Sequence, residues 1–277
     1  MEIKNHKFDQ RVAKFESTDK HSGNFSNKEL VDTIIIHYTA GGTADNAVRT
    51  FKDPDIMASA HLIVDFDGSI IQMFPFNKIG WHAGKSAWKD RTGLNHYTIG
   101  IEIVNAGKLT YTGSAWEAWF GRTYEESEVV RAVHRNRDEE EFWHKYTEKQ
   151  IASVFDICKS LKKYYDIQYI LGHEEISPGR KIDPGPAFPM EKLRERLMQS
   201  DRKEDREPEE STGEKGYVNA SSLNNREGPG AKYNRISEPL SRDTEVTILD
   251  ENEDWYQVSV KIRGWVSKKY VERGGKA

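Results

Sequence analysis

The chain has 277 residues, with 41 Lys and Arg against 45 Asp and Glu, a net charge of −4 and a pI near 6.2. No basic stripe marks it for nucleic acid, and a mean hydropathy of −0.79 without a long apolar run leaves no segment to span a bilayer. Its one cysteine, Cys158, excludes an internal disulfide framework and a cysteine-cluster metal site, so any metal must be held by His and carboxylate. Met1 to Asn24 lacks the apolar middle of a secretory signal peptide, which predicts synthesis in the cytoplasm and delivery by another route.

Domains usually run to about 100 to 200 residues, so one large and one small domain are expected. Residues 199–215 carry charge of both signs, Pro and Gly, with nothing to enter a core, and separate a domain over 1–198 from one over 216–277. In the first, the apolar run Thr33 to Ile36 predicts a strand. After Gly41 and Gly42, Ala44, Ala47, Val48 and Phe51 recur at helical spacing, and Pro54 stops that helix. Ala60 to Phe66 and Ser69 to Phe74 predict a hairpin turning on Asp67-Gly68 as a two-residue loop. Thr98 to Val104 reads as a buried central strand with Glu102 inside it.

Between Lys108 and Lys145, Trp116, Trp119, Phe120, Phe142 and Trp143 bracket a charged stretch and either pack on the core or border a cleft. Thr147 and Gln150 stand at capping-box spacing before a helix to Tyr164, with Ile151, Val154, Phe155, Cys158 and Leu161 on one face; Cys158 is a core residue there, not a nucleophile. Past the linker, Val246 to Leu249, Trp255 to Val260 and Gly264 to Val266 read as the short strands of a small barrel.

A catalytic zinc site needs three protein ligands and an open position, and His37, His173 and Asp183 are the candidates, each beyond a strand or in the Pro/Gly-rich loop GRKIDPGP. His61 alternates inward as a buried structural residue, His82 either lines the groove or braces it, and Glu174 and Glu175 read as solvated or capping. Arg180 suits either a bidentate grip on a ligand carboxylate or a structural salt bridge.

The motifs IIIHYTAGG, SAHLIVDFDGSIIQM, WHAG, IGIEIVN and GHEEISPGRKIDPGPAF, in that order over about residues 32–197, closely resemble the amidase-2 family. The resemblance implies an α/β fold with a central mixed sheet flanked by helices, and hydrolysis of the amide between N-acetylmuramic acid and L-alanine in peptidoglycan. It implies Zn2+ on His37, His173 and Asp183, Glu102 as general base and Lys181 on the oxyanion, with Trp81, His82 and Arg180 as substrate-binding candidates. Ala60 stands where the phage-lysozyme branch has a catalytic Tyr, which disfavours a Tyr-dependent mechanism. Leu223 to Val271 resembles the bacterial SH3 domain family, implying a small all-β barrel that targets the cell wall. Gly228, Pro229 and Gly230 form a tight loop there, and Trp255, Tyr256, Trp265 and Tyr270 supply aromatic surface. The partner is then peptidoglycan, with no nucleic acid and no membrane. Two alternatives stand beside a wall-lysing enzyme: a non-catalytic peptidoglycan receptor, opposed by the presence of every ligand position with Glu102 and Lys181, and a recycling amidase for anhydro-muropeptides, opposed by the wall-binding segment.

Overall fold

β-branched residues fill Thr33–Tyr38 and Thr98–Ile103, and both are strands of a six-stranded mixed sheet. In the computed structural model, which describes residues 1–26, 30–198, 215–226, 228–252 and 254–260, the strands run in the order Tyr169–Gly172, Thr33–Tyr38, Thr98–Ile103, Leu62–Val64, Ile70–Gln72, Ala13–Phe15. The first four are mutually parallel, Leu62–Val64 pairs antiparallel with Ile70–Gln72, and Ala13–Phe15 closes the edge in parallel.

Alternation along the strands divides the sheet into two unlike faces. On one, Ile34, Ile36, Ile99, Ile101, Ile103 and Ile170 pack against helix α2 (Glu148–Tyr165) through Val154, Ile157, Cys158 and Leu161, and against α4 (Met190–Met198) through Leu193 and Leu197. Each fully buried side chain of this kind contributes about 1.5 to 3 kcal/mol. On the other, Ile35 and Leu171 meet Ala83, Leu94 and Ile176 of the short helix α3 (His173–Ile176). Further along the same face come His37 and Glu102. Register fixes their company: Glu102 lies opposite His37 and Gly172 opposite Ile36, so His173 is next in line.

Helix α1 (Ala44–Lys52) starts on Thr43, whose hydroxyl accepts from Asn46 N at 3.2 Å, and buries Ala44, Ala47 and Phe51 ahead of Pro54. The expected hairpin is present, but its turn is wider than two residues. Gly68 N–H donates to Asp65 O, Asp65 N–H donates to Ser69 O, and Gly68 takes a left-handed φ of +83°. The strand after Thr33 continues through His37 to Tyr38, so that histidine is part of the sheet, not of the loop beyond it.

The ambiguous stretch from Lys108 forms a five-stranded antiparallel sheet: Thr123–Tyr124, Trp116–Glu117, Lys108–Tyr111, Glu140–His144, Val129–Val133. Trp143 is buried, as the packing reading of these aromatics expects, and Trp119 is exposed. The N-terminal residues Ile3, Phe8 and Ala13 also enter the main core.

Contacts divide the chain into two units, Met1–Glu204 and Asp205–Ala277. Of the expected linker 199–215 only Lys215 is described, and it opens a strand. In the second unit Lys215–Tyr217, Glu245–Asn252 and Trp255–Val260 form an antiparallel sheet, with Ser222–Leu223 and Leu240–Ser241 as a second pair. Tyr233 lies over Gly228, where a Cβ would come within 2.8 Å of its ring. Trp255 is half-buried and Tyr256 exposed, whereas Gly264 to Val266, Trp265 and Tyr270 lie outside the described residues. No helix among the described residues is long and apolar enough to cross a membrane.

The cap of α2 tests this frame. Thr147 Oγ1 accepts from Gln150 N at 3.1 Å and donates to Phe66 O at 2.7 Å, while Gln150 Oε1 accepts from Thr147 N and Gln150 Nε2 donates to Val104 O. Thr147→Ala is expected to cost about 1 to 2 kcal/mol, read as a lower urea midpoint at unchanged m-value. An unchanged midpoint would show that the cap does not hold α2 in place.

Candidate active site and metal centre

Three side chains from three segments converge at the C-terminal ends of the parallel strands. His37 Nδ1 lies 2.9 Å from His173 Nδ1 and 3.0 Å from Asp183 Oδ2, and His173 Nδ1 lies 3.0 Å from the same oxygen. All three residues are buried, and together they form a group that can hold a metal ion.

Which nitrogens carry protons follows from the surrounding hydrogen bonds. Thr98 Oγ1 donates to Leu94 O at 2.8 Å, so its lone pair accepts from His82 Nε2–H at 3.2 Å. His82 Nδ1 is then a lone pair and accepts His37 Nε2–H at 3.1 Å. That leaves His37 Nδ1 unprotonated toward Asp183. On the other side His173 Nε2–H donates to Ala83 O at 3.2 Å, so its Nδ1 is also a lone pair. Two imidazole lone pairs and a carboxylate oxygen thus face one another at about van der Waals distance. A single proton can bridge only one edge of that triangle, whereas one cation satisfies all three corners. The donor set, two neutral imidazoles and a carboxylate with no thiolate, is one that zinc accepts.

The ionisation of each group agrees. Burial lowers His37 to about 4, helped by the neighbouring His173 and opposed by Asp183. Burial also holds His82 well below its ordinary value. Asp183 is pushed up by burial, but the close approach of the His173 and His37 rings outweighs this and holds its carboxyl well below the usual carboxylate range.

Backbone positions make room for this packing. His82 occupies the space a side chain at Gly100 would need: a Cβ there would sit 2.4 Å from the His82 ring. The loop carrying His82 is shaped by Asn95, whose Oδ1 accepts from the N–H groups of His82 and Ala83. It is tied to the Asp183 loop by Arg180, whose Nη2 donates to Ala83 O, Lys85 O and Ser177 Oγ. Trp81 is half-buried, with its indole N–H donating to Ser22 Oγ at 2.6 Å.

A cleft of about 330 Å³ opens over the triangle, walled by Glu102, Trp81, Arg180 and Lys181 as well as the three convergent residues. Glu102 Oε2 is shielded from solvent and has no hydrogen-bond partner among the described residues. Burial, with the charge of Asp183, raises this carboxyl to about 8, and the charge of Lys181 works against the rise. A carboxylate kept short of partners beside a cleft is poised to exchange a proton.

Of the remaining sequence candidates, His61 is fully buried, donating from Nε2 to Lys78 O at 2.8 Å and accepting Gly100 N–H on Nδ1. Glu175 caps α3 by accepting Gly172 N–H and pairs with Arg135 and Arg194. Glu174 departs from expectation: it is buried, not solvated. His134 Nε2–H at 2.7 Å and Gly185 N–H at 3.1 Å both donate to its Oε2, and its own N–H donates to Asp183 O. Asn136 N–H donates to His134 Nδ1, which fixes Nε2 as the protonated nitrogen. This brace from the inserted sheet had no signal in the sequence, where His134 stands in a strongly charged run that reads as solvated surface.

Two outcomes follow from the geometry. In metal-free protein Glu102, raised from 4.5 to about 8, stabilises the fold fully below about pH 4.5, and that contribution is lost as pH rises through about 8. Glu102→Gln should therefore gain stability relative to wild type between pH 5 and 9 in denaturant melts; parallel pH profiles would show that the carboxyl is not perturbed. His82→Ala should weaken divalent-metal affinity about 10- to 100-fold, as measured by competition with a chelating dye, because it removes the acceptor that fixes the tautomer of His37. Unchanged affinity would mean that His37 needs no such partner.

Comparison with known proteins supports the same reading. The N-acetylmuramoyl-L-alanine amidase family model matches residues 27–186, and a bacterial SH3 domain model matches residues 221–272. The chain is 30% identical over 172 residues to N-acetylmuramoyl-L-alanine amidase AmiD of Escherichia coli (strain K12), an alignment covering 59% of this chain and 52% of AmiD, so it spans about half of that relative's length. It is 31% identical over 155 residues to 1,6-anhydro-N-acetylmuramyl-L-alanine amidase AmpD of the same strain, covering 55% of this chain and 67% of AmpD. Among solved structures, a crystal structure of an AmpD derivative superposes with a TM-score of 0.52 at 22% identity, covering 70% of this chain and 98% of that one, which supports the fold. Through residues 27–186, more than half of its length, the chain belongs to the N-acetylmuramoyl-L-alanine amidase family.

Proposed function

We propose that this chain hydrolyses the amide joining the lactyl carbonyl of N-acetylmuramic acid to L-alanine in peptidoglycan, with zinc held by His37, His173 and Asp183. The observation that carries the reading is the triangle of lone pairs on His37, His173 and Asp183 beneath a cleft, with the partnerless Glu102 carboxyl on the adjacent strand in register with His37. When bound, zinc supplies Lewis acidity to the scissile carbonyl and to a water.

The protein's own groups supply the rest. Glu102 Oε2 accepts a proton from the attacking water as the new C–O bond forms. It then delivers that proton to the alanine nitrogen as the C–N bond breaks, leaving a lactyl carboxylate and a free amino terminus. Such a positioned acid–base group is typically worth about 10²- to 10⁴-fold. The Lys181 ammonium, on the wall of the same cleft, opposes the negative charge that develops on the carbonyl oxygen. His82 holds His37 in its ligating tautomer. Trp81 and Arg180 form the substrate-side wall, with one face of the Arg180 guanidinium committed to the Trp81–Lys85 loop.

The SH3-family segment favours action at the cell wall on polymeric peptidoglycan. A second reading, hydrolysis of soluble anhydro-muropeptides, is favoured by the similarity to AmpD, whose name specifies the anhydro sugar. Intact peptidoglycan and a purified anhydro-muropeptide, each digested with zinc-loaded protein and followed by mass spectrometry, separate the two. Release of peptides with free N-terminal L-alanine is expected, abolished by a chelator and lowered at least about 10²-fold in Glu102→Ala. Binding to the wall without any such release would replace the enzymatic reading with a receptor.

A further inference from the structure

The inserted sheet places one side chain at the edge of the cleft in a way that neither the core nor the chemistry of the site requires. Trp119 sits in the turn between Trp116–Glu117 and Thr123–Tyr124, where Gly121 N–H donates to Ala118 O and Ala118 N–H to Arg122 O. It is 78% exposed, whereas Trp143 of the same sheet is 1% exposed. An indole in water needs no protein partner for its N–H. Yet Trp119 Nε1–H donates to Ala40 O at 2.7 Å, and Ala40 lines the cleft three residues after His37.

That contact fixes the ring at the rim. Ala40 has a left-handed φ of +48°, and the carbonyl it presents is the one the indole takes. Behind Trp119, Phe120 meets it edge-on with centroids 5.7 Å apart, and Phe120 itself lies against Gly42, where a Cβ would come 3.4 Å from its ring. The indole is thus anchored by its edge, supported from behind, and left with most of its surface in solvent.

We infer that Trp119 is a sugar-stacking platform, receiving the apolar C–H face of the pyranose that adjoins the cleaved muramoyl residue on the glycan strand. A pyranose offers C–H groups on its faces and hydroxyls on its rim, and a rigid indole is the matching surface: a flat apolar ring with little conformational entropy left to lose. The inference rests on the proposed substrate. It makes the inserted sheet a specificity element that distinguishes a glycan strand from a single amino-sugar peptide.

Kinetics on two substrates test it, one carrying a disaccharide and one the muramoyl residue alone, each with the same stem peptide. Trp119→Ala should raise KM for the disaccharide about five- to ten-fold, the worth of one aromatic stacking contact, and leave the single-sugar substrate unchanged. Trp119→Phe, which keeps a ring but not the bond to Ala40, should fall between wild type and Trp119→Ala on the disaccharide. Equal losses on both substrates would assign Trp119 to holding the Ala40 loop, and no loss on either would leave it no role in binding; both overturn the proposal. A titration of the full chain with a β-1,4-linked N-acetylglucosamine trimer, which contains no amide to L-alanine, separates this outcome from failure of the amidase reading. A shift of the Trp119 indole N–H resonance on adding the trimer supports stacking even in a protein without activity, and an unmoved resonance overturns it.

Discussion

Three acceptor atoms held within 3.0 Å of one another in a buried pocket are the constraint around which this domain is arranged. Acceptors at that distance repel unless something positive lies among them, so the protein must fix each one against rotating away. It does so from behind. A relay runs from Leu94 O through the Thr98 hydroxyl and the His82 ring to His37, and each link is oriented by the one before it. His173 is held by a single carbonyl, that of Ala83, and Asp183 by the loop whose ends are tied to α3. The orientation of the two histidine rings in the triangle therefore rests on two neighbouring residues, His82 and Ala83, while the sheet sets where His37 stands.

This explains why the WHAG segment contains the residue types it does. His82 needs an aromatic-sized space beside a strand, and the strand provides it by having glycine at position 100. Ala83 leaves its carbonyl open to both His173 and Arg180, and the tie to Arg180 links the loop to the segment that carries Lys181 and Asp183. The sheet contributes register. Because Glu102 lies opposite His37 in a parallel pair, the two side chains face the same side at one strand spacing, about 4.8 Å.

Much of this was legible in the sequence, for reasons that differ by residue. Nearly continuous apolar runs located the strands around His37 and Glu102, because a strand covered on both faces is apolar throughout, and helical spacing behind a capping box located the helix at Thr147. The convergence of His37, His173 and Asp183 was open to the sequence only through motif resemblance, since their separations along the chain carry no geometric information. His82 illustrates a partial limit: its motif marked it as important, but whether it lined or braced the site depended on the absence of a side chain at Gly100, a fact about a different strand. The Glu174–His134 pair was not legible at all. Its partners lie 40 residues apart, each in a run of charged residues, and only the tertiary fold turns those charges inward.

The inserted sheet from Lys108 to His144 reaches both ends of the site. At its far edge His134 stacks on Trp143, and Trp143 closes against Gly185, where a Cβ would come within 2.8 Å of its ring. With Glu174 receiving both His134 and Gly185, the insert buttresses the loop that presents Asp183. At its near edge the hairpin turn fixes Trp119 to Ala40, on the loop that follows His37. One antiparallel sheet thus contacts the segments on both sides of the His37–His173–Asp183 triangle. The chain places an exposed indole and a buried histidine on the same antiparallel sheet, one fixed to the loop that follows His37 and the other to the loop that presents Asp183.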